Sequence, residues 1–368
     1  MDNRAVIIIA ASGRALAASA RRGGYLPLVI DWFGDADTLA LGAAHARLEN
    51  GLARGMTADA LDAALSAVTR EYRPLGIVCG TGFEDRPELL ERLAQHWRIF
   101  GSSAETVRRI KDPEAFASLC RDCAVPHPDI SRARPSDAAG WLAKRKGGAG
   151  GSHVGPAAER DAANFYYQRH VSGEPVSALF LADGNSAHVL GFSTQWVSPT
   201  SRQPYRYGGA IRPAMLAENI SDLLEDVVRK IAHAIPLVGL CSADFLVDGD
   251  DFRLLEVNPR PGATLDIFEA PQRPLFALHM AACEGELAAQ APSLAGVTAT
   301  AIAYGKHDMR IPAIDWPDWT ADRPHAGTVV KEGEPLCTVH ATAADHAEAR
   351  SMIDQRLETI LARTHARV

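Results

Sequence analysis

The chain has 368 residues, too many for one compact core, so two or three domains are expected. Hydrophobic residues make up 47% and charged residues 23%, which excludes large-scale disorder. The formal net charge is −7 with no long basic run, which excludes duplex binding through a basic footprint, so no nucleic-acid partner is expected. The longest apolar stretch near the start, residues 5–11, is far short of the ~20 residues that span a bilayer. It also lacks a basic leader with a cleavage site, so no membrane association is expected. Six scattered cysteines in a chain of this size fit reduced thiols and a cytoplasmic location. Cys120 and Cys123 form a C-x-x-C pair with no second pair at zinc spacing, and read as small apolar residues one helical turn apart.

In chain order, residues 5–11 form a continuous apolar run, as in a strand buried on both faces. Ser12-Gly13-Arg14 breaks it, residues 15–22 read as a helix, and Gly23-Gly24 ends that helix. Further strands are expected at 28–30, 76–79 and 99–101. Strands alternating with helices imply a doubly wound parallel α/β domain. A dinucleotide site is not expected there: Asp31 has the spacing of a ribose-binding acid, but the turn offers one glycine where that fingerprint needs three. The middle of the chain is β-rich. Residues 141–144 read as a strand ending in Lys144, and 176–181 and 187–192 as strands around Asp183-Gly184. Residues 220–235 carry apolar side chains at helical spacing, ended by Pro236 and Gly239. A hairpin around residues 331–334 and a terminal helix from about 343 complete the reading.

Three constellations carry chemistry. The first is the expected hairpin 242–258. Side chains alternate along a strand, so Glu256 and Asn258 share a face, together with Phe252 and Leu254. With a three-residue loop 249–251, Asp244 pairs with Glu256; with a two-residue loop it faces away. Paired, Asp244, Glu256 and Asn258 make a hard-oxygen set suited to Mg²⁺ held together with substrate phosphates. The alternative is a surface Asp244 and a structurally partnered Glu256. The second is Lys144 ahead of a glycine loop that includes Gly148, Gly150 and Gly151. Its backbone N–H groups can wrap phosphate oxygens, although the loop lacks the G-K-[ST] of a Walker sequence and also reads as a plain flexible hairpin. The third runs from Gln168 to Glu174, with Gln168 suited to adenine and Glu174 to ribose hydroxyls.

The order of these motifs resembles the ATP-grasp superfamily over roughly residues 5–300. Ile110-Lys111-Asp112-Pro113-Glu114-Ala115-Phe116 looks like its opening helix, and Leu255-Glu256-Val257-Asn258-Pro259-Arg260-Pro261-Gly262 like its most diagnostic stretch. The resemblance implies an α/β (α+β) fold: an N-terminal pre-ATP-grasp domain at 1–105, a first lobe with the glycine loop at 106–180, a second lobe with the metal site at 181–300, and a small C-terminal element at 301–368. It also implies ATP and two Mg²⁺ ions, with Mn²⁺ as an alternative. Lys111 and Lys144 would contact phosphates, 168–171 including Val171 would hold adenine, and Asp244, Glu256 and Asn258 would ligate metal. A carboxylate would take the γ-phosphoryl group and an amine would displace phosphate to give an amide. Lys144, Arg260 and Arg212 are the catalytic candidates on anionic groups. Ser242 stands where the D-alanine–D-alanine ligases have an arginine.

Within the superfamily, residues 11–25, 31–38 and 205–213 resemble ligases that join glutamate to tyramine or tyrosine in methanofuran-type cofactors. Tyr205, Arg206, Tyr207 and Arg212 would face the acceptor, suiting an aromatic or anionic amino-acid-like substrate; the alternative is a structural crossover loop. His153 and His170 read as packing or loop residues. Partners would be small carboxylates and amines, with a homodimer as found among similar enzymes. The rivals are a carboxylase-type enzyme that activates bicarbonate and a non-catalytic nucleotide-binding module.

Overall fold

The computed structural model describes residues 4–159, 164–287, 291 and 293–364. The strands Ala5–Ile9, Leu26–Asp31, Ala44–Arg47, Ile77–Cys79 and Ile99–Phe100 form a parallel sheet in the spatial order 3-2-1-4-5. Helices cover both faces, so the central strand is buried throughout and reads as the unbroken Ala-Val-Ile-Ile-Ile. The edge strand Ala44–Arg47 escaped the sequence reading because its alternation of alanine with His45 and Arg47 leaves no apolar run. Strand order reverses beside the central strand. The crevice beyond its carboxyl end is where open α/β sheets place ligands, and the turns at residues 10–15 and 80–81 line a cleft there.

The dinucleotide alternative loses its acid. Asp31 is fully buried and accepts hydrogen bonds from the Gly13, Phe33 and Gly34 amides, with the His45 ring 3.1 Å away. Its carboxylate shapes the turn instead of facing a ribose. Lys111 lies at the end of one helix, Ala104–Lys111, not at the start of another. Asp112 then caps Pro113–Asp122 by accepting from the Glu114 and Ala115 amides at 3.1 and 3.0 Å.

Two antiparallel sheets follow. The smaller has four strands in the spatial order Ile130–Ser131, Phe165–Arg169, Trp141–Arg145, Val154–Pro156. The larger has eight: Asp251–Asn258, Val238–Asp248, Glu174–Asp183, Ala187–Val197, Tyr207–Arg212, Val297–Tyr304, Pro335–Ala343 and Thr320–Ala321. Helix Glu218–Ala234 lays Leu224, Val227, Val228 and Ile231 onto one face of it, against Phe180, Phe245 and Leu254. Helix His346–Thr364 covers the strands nearest the carboxyl end.

Three stretches of strand run or pair differently from the sequence reading. Strand Glu174–Asp183 runs unbroken through position 180, because its ten residues pair along their whole length with Val238–Val247. The large sheet likewise continues past residue 300 through Val297–Tyr304. Residues 331–334 turn the chain without making a hairpin. Val329–Val330 pairs with Met309–Arg310, and Pro335–Ala343 pairs with Val297–Tyr304. Among the described residues no helix is long and apolar enough to cross a membrane.

Candidate active site

The hairpin loop has two residues, Gly249 and Asp250, with Asp248 opposite Asp251. That length alone would turn Asp244 away from Glu256. A β-bulge restores the pairing. Phe245 lies opposite Leu254 and Asp244 opposite Glu256, leaving Leu255 as the extra residue. The bulge also changes which side chains share a face. Phe252, Leu254 and Val257 join the core under helix Glu218–Ala234, while Glu256 and Asn258 turn to the opposite side. The expectation that Glu256 and Asn258 lie with Phe252 and Leu254 is therefore corrected.

On that opposite side the three residues form one network. The Asn258 amide nitrogen donates to Asp244 Oδ2 at 3.0 Å and to Glu256 Oε1 at 3.4 Å. Ser177 donates to Asp244 Oδ1 at 2.6 Å. The Lys111 ammonium donates to Asn258 Oδ1 at 2.7 Å and lies 3.6 Å from Glu256. Burial and the facing Glu256 charge push the Asp244 carboxyl above the ordinary carboxylate range. Burial would raise Glu256 too, but the charges of Lys111 and Lys144, helped by a hydrogen bond with Asp244, outweigh it and hold Glu256 well below the carboxylate range.

The small sheet supplies the other wall. Lys144 lies buried in the strand Trp141–Arg145 and donates to Gln168 Oε1 at 3.1 Å. Burial lowers the pKa of its ammonium, but Tyr166, Glu256 and Asp244 together raise it above the ordinary lysine value. The glycine loop links this strand to Val154–Pro156 and is pinned at both ends. Gly147 has φ +64°, and a Cβ there would lie 2.5 Å from the Glu84 carbonyl oxygen of the N-terminal domain. Gly151 has φ +71° and rests on the Tyr205 carbonyl, where a Cβ would not fit. The Tyr207 amide donates to the Gly150 carbonyl at 2.9 Å.

Between these walls lies a cleft of about 480 Å³. Lys144, Gly150, Gly151, Asp244, Glu256, Asn258 and Arg260 all line it. Gly148 is outside the lining, packed under the His153 ring, and Lys111 stands behind Asn258 and Glu256. Gln168 is buried against Lys144, and Val171 and the exposed Glu174 lie off the described lining. His153 lines the cleft with its ring largely buried, which lowers its pKa to about 4.

Arg212 is not brought to the cleft. Its guanidinium donates to the carbonyls of Ile267 and Gly296 and to the Thr298 hydroxyl, tying three segments together behind the sheet. Arg206 is similarly engaged, donating to Ser198 and Gly333 and stacking 3.7 Å over the Tyr304 ring. Tyr205 and Tyr207 do line the cleft. Sequence reasoning missed Glu84, which accepts from Arg260 Nε at 2.7 Å and is buried. It also missed Arg14, Asp266 and Asp322. The acid that follows Gly80-Thr81-Gly82 at the end of a parallel strand was a usable signal for Glu84.

Among the described residues no three His, Cys, Asp or Glu side chains are grouped for a metal ion. Two carboxylates and an amide oxygen are what remain, a donor set that fits a hard cation only when phosphate oxygens complete it. Lys111 provides the counter-charge to that set in this structure.

Residues 114–264 match the ATP-grasp domain family. The fold is an ATP-grasp. Solved structures of the same fold match the chain almost end to end. Carboxyaminoimidazole ribonucleotide synthase of Aspergillus clavatus, complexed with ATP, is 14% identical with a TM-score of 0.72 and 99% of each chain covered. The biotin carboxylase domain of Hydrogenobacter thermophilus 2-oxoglutarate carboxylase is 12% identical with a TM-score of 0.72, covering 96% of this chain and 89% of that one. In sequence, the carbamoyl phosphate synthase large chain of Rubrobacter xylanophilus is 24% identical over 245 residues. That is 60% of this chain, which spans only 23% of the relative's length.

Proposed function

We propose that this chain is a cytoplasmic, Mg-ATP-dependent ligase. It would join a carboxylate to an amine through an acyl phosphate and release ADP. The acid would be glutamate and the amine tyramine or tyrosine, in the biosynthesis of a one-carbon carrier cofactor. The observation that carries the reading is the bulged hairpin. It sets Asp244 against Glu256 with Asn258 bridging them, across the cleft from Lys144 and the glycine loop. Bound Mg-ATP would supply an electrophilic phosphoryl group and the positive charge that two facing carboxylates call for.

The chain's own groups divide the remaining work. Asp244, Glu256 and Asn258 would hold the metal. Lys144 keeps its ammonium charged and, with Lys111, would neutralise phosphate oxygens. The 147–151 backbone would cover them, residues 168–171 would hold the base and Glu174 the ribose. Arg260 is oriented by its ion pair with Glu84 and would hold the substrate carboxylate. The domain limits 1–105, 106–180, 181–300 and 301–368 belong to the same proposal.

A second reading follows from the relatives, whose names include carboxyaminoimidazole synthases and biotin carboxylases: activation of bicarbonate. The test is ADP release with Mg-ATP against a panel of acids and amines, glutamate with tyramine or tyrosine first, with product masses read in parallel. ADP with a matching amide mass is expected. Bicarbonate-dependent ADP release without an amide would favour the second reading, and AMP would overturn the acyl-phosphate mechanism.

A further inference from the structure

Lys111 stands apart from Lys144 and Arg260 because it does not line the cleft. Its neighbour Ile110 is buried in the core under the large sheet, and Asp112 caps the following helix, so the backbone on both sides is fixed. The side chain is 8% exposed and approaches the acid set from behind. Its ammonium meets Asn258 Oδ1 at 2.7 Å and Glu256 Oε2 at 3.6 Å.

Asn258 is thereby turned the wrong way for a cation in the cleft. Its oxygen accepts from Lys111 and, at 3.4 Å, from Arg260. Its nitrogen donates to Asp244, to Glu256 and, at 3.4 Å, to the Ser242 hydroxyl. An ammonium can only donate, so partner chemistry fixes the amide oxygen toward Lys111 and its nitrogen toward the carboxylates. The charges are settled as well. Lys111, Lys144 and Arg260 face Asp244, Glu256 and Glu84, three basic side chains against three acidic ones. Lys111 would have to be displaced, and the amide turned over, before a divalent ion could use these oxygens together. A divalent ion alone would then leave excess positive charge in a confined site. A nucleotide's phosphates reverse that balance, since their negative charge calls for a further cation. The flexible stem of a lysine lets its ammonium swing while the helix end stays in place.

We propose that Lys111 is a resident cation that keeps Asp244, Glu256 and Asn258 closed to a free divalent ion, so that metal enters only together with nucleotide phosphates. The inference rests on the metal-and-nucleotide reading of the cleft and is independent of which acid and amine are joined. Metal and nucleotide binding are then linked, each tightening the other by the same factor. Removing the charge at position 111 opens the acid set to the metal alone.

The test is titration of the full chain with Mn²⁺ alone, followed by the electron paramagnetic resonance of unbound Mn²⁺ and by thermal melting. Lys111→Met is expected to bind Mn²⁺ at least about tenfold tighter than the parent. It is expected to melt below the parent and to recover part of that loss when Mn²⁺ is added. Lys111→Arg keeps the charge and is expected to resemble the parent. Glu256→Gln added to Lys111→Met is expected to abolish the gain. If Lys111→Met does not fold, Lys111→Gln carries the same expectation, because its amide can still donate to Asn258 Oδ1. Equal Mn²⁺ affinity in the parent and a folded variant without the charge would overturn the proposal, as would an equal gain in Lys111→Arg. Calorimetric titration of the parent with Mg-ADP separates the two readings. Mg-ADP binding by a parent that also takes Mn²⁺ alone as tightly as Lys111→Met would keep the nucleotide site and sink the role of Lys111. A gain in Lys111→Met with no Mg-ADP binding by the parent would sink the nucleotide reading and leave Lys111 as the occupant of the acid set.

Discussion

Glu256 keeps its charge in a half-buried position because Lys111 and Lys144 flank it, while its neighbour Asp244 is driven toward the neutral form by burial and the facing Glu256 charge. A carboxamide at 256 would keep the shape and remove the charge. Glu256→Gln is expected to lower ADP formation by at least about a hundredfold. Its circular dichroism and melting profile are expected to stay close to those of the parent chain. Near-normal turnover by that variant would remove the metal role. Arg212 should behave oppositely. Its guanidinium is engaged with two carbonyls and a hydroxyl, and lysine cannot reproduce that fork. Arg212→Lys is expected to cost about 1–3 kcal/mol in denaturant unfolding and to leave the KM values unchanged.

Among the elements, the hairpin 238–258 separates what composition can encode from what it cannot. The acid set within Leu255-Glu256-Val257-Asn258 was legible, because a carboxylate in so apolar a strand needs a reason. The register was not. Loop length and side-chain alternation give one answer, and the extra residue Leu255 gives another. Periodicity carries no mark of a bulge, because the residue types on either side are the same in both registers. Arg212 failed for a related reason. An arginine near a tyrosine pair looks like a substrate ligand until the carbonyls of Ile267 and Gly296, 55 and 84 residues away, are seen around it. Lys144 and the glycine loop were legible from local order alone. Asp266 and Asp322 were not, since their shared partner Arg14 lies 252 and 308 residues away in sequence.

For the molecule as a whole, the packing of the N-terminal domain on the C-terminal segment has a pH signature. Asp37 accepts from the Asp322 and Arg323 amides at 2.9 and 3.0 Å, and Asp35 is buried beside it. Burial first, then the charges of Asp322, Asp31 and Asp37, push the Asp35 carboxyl up to about 8 from 3.8. The folded chain holds a proton there that the unfolded chain releases, so this group's contribution to stability falls as pH rises through that window. Asp35→Asn is expected to melt higher than the parent near about pH 8.5 and to converge with it toward about pH 4. A constant difference across that range would show that Asp35 does not titrate there. The shared eight-stranded sheet has a different implication, for anyone trimming the protein. Removing residues 297–368 would strip the hydrogen-bonding partner from Tyr207–Arg212 and uncover Ile211 and Trp196. The remainder would carry an adhesive border open to any extended chain, so it is expected to run as soluble aggregates in gel filtration.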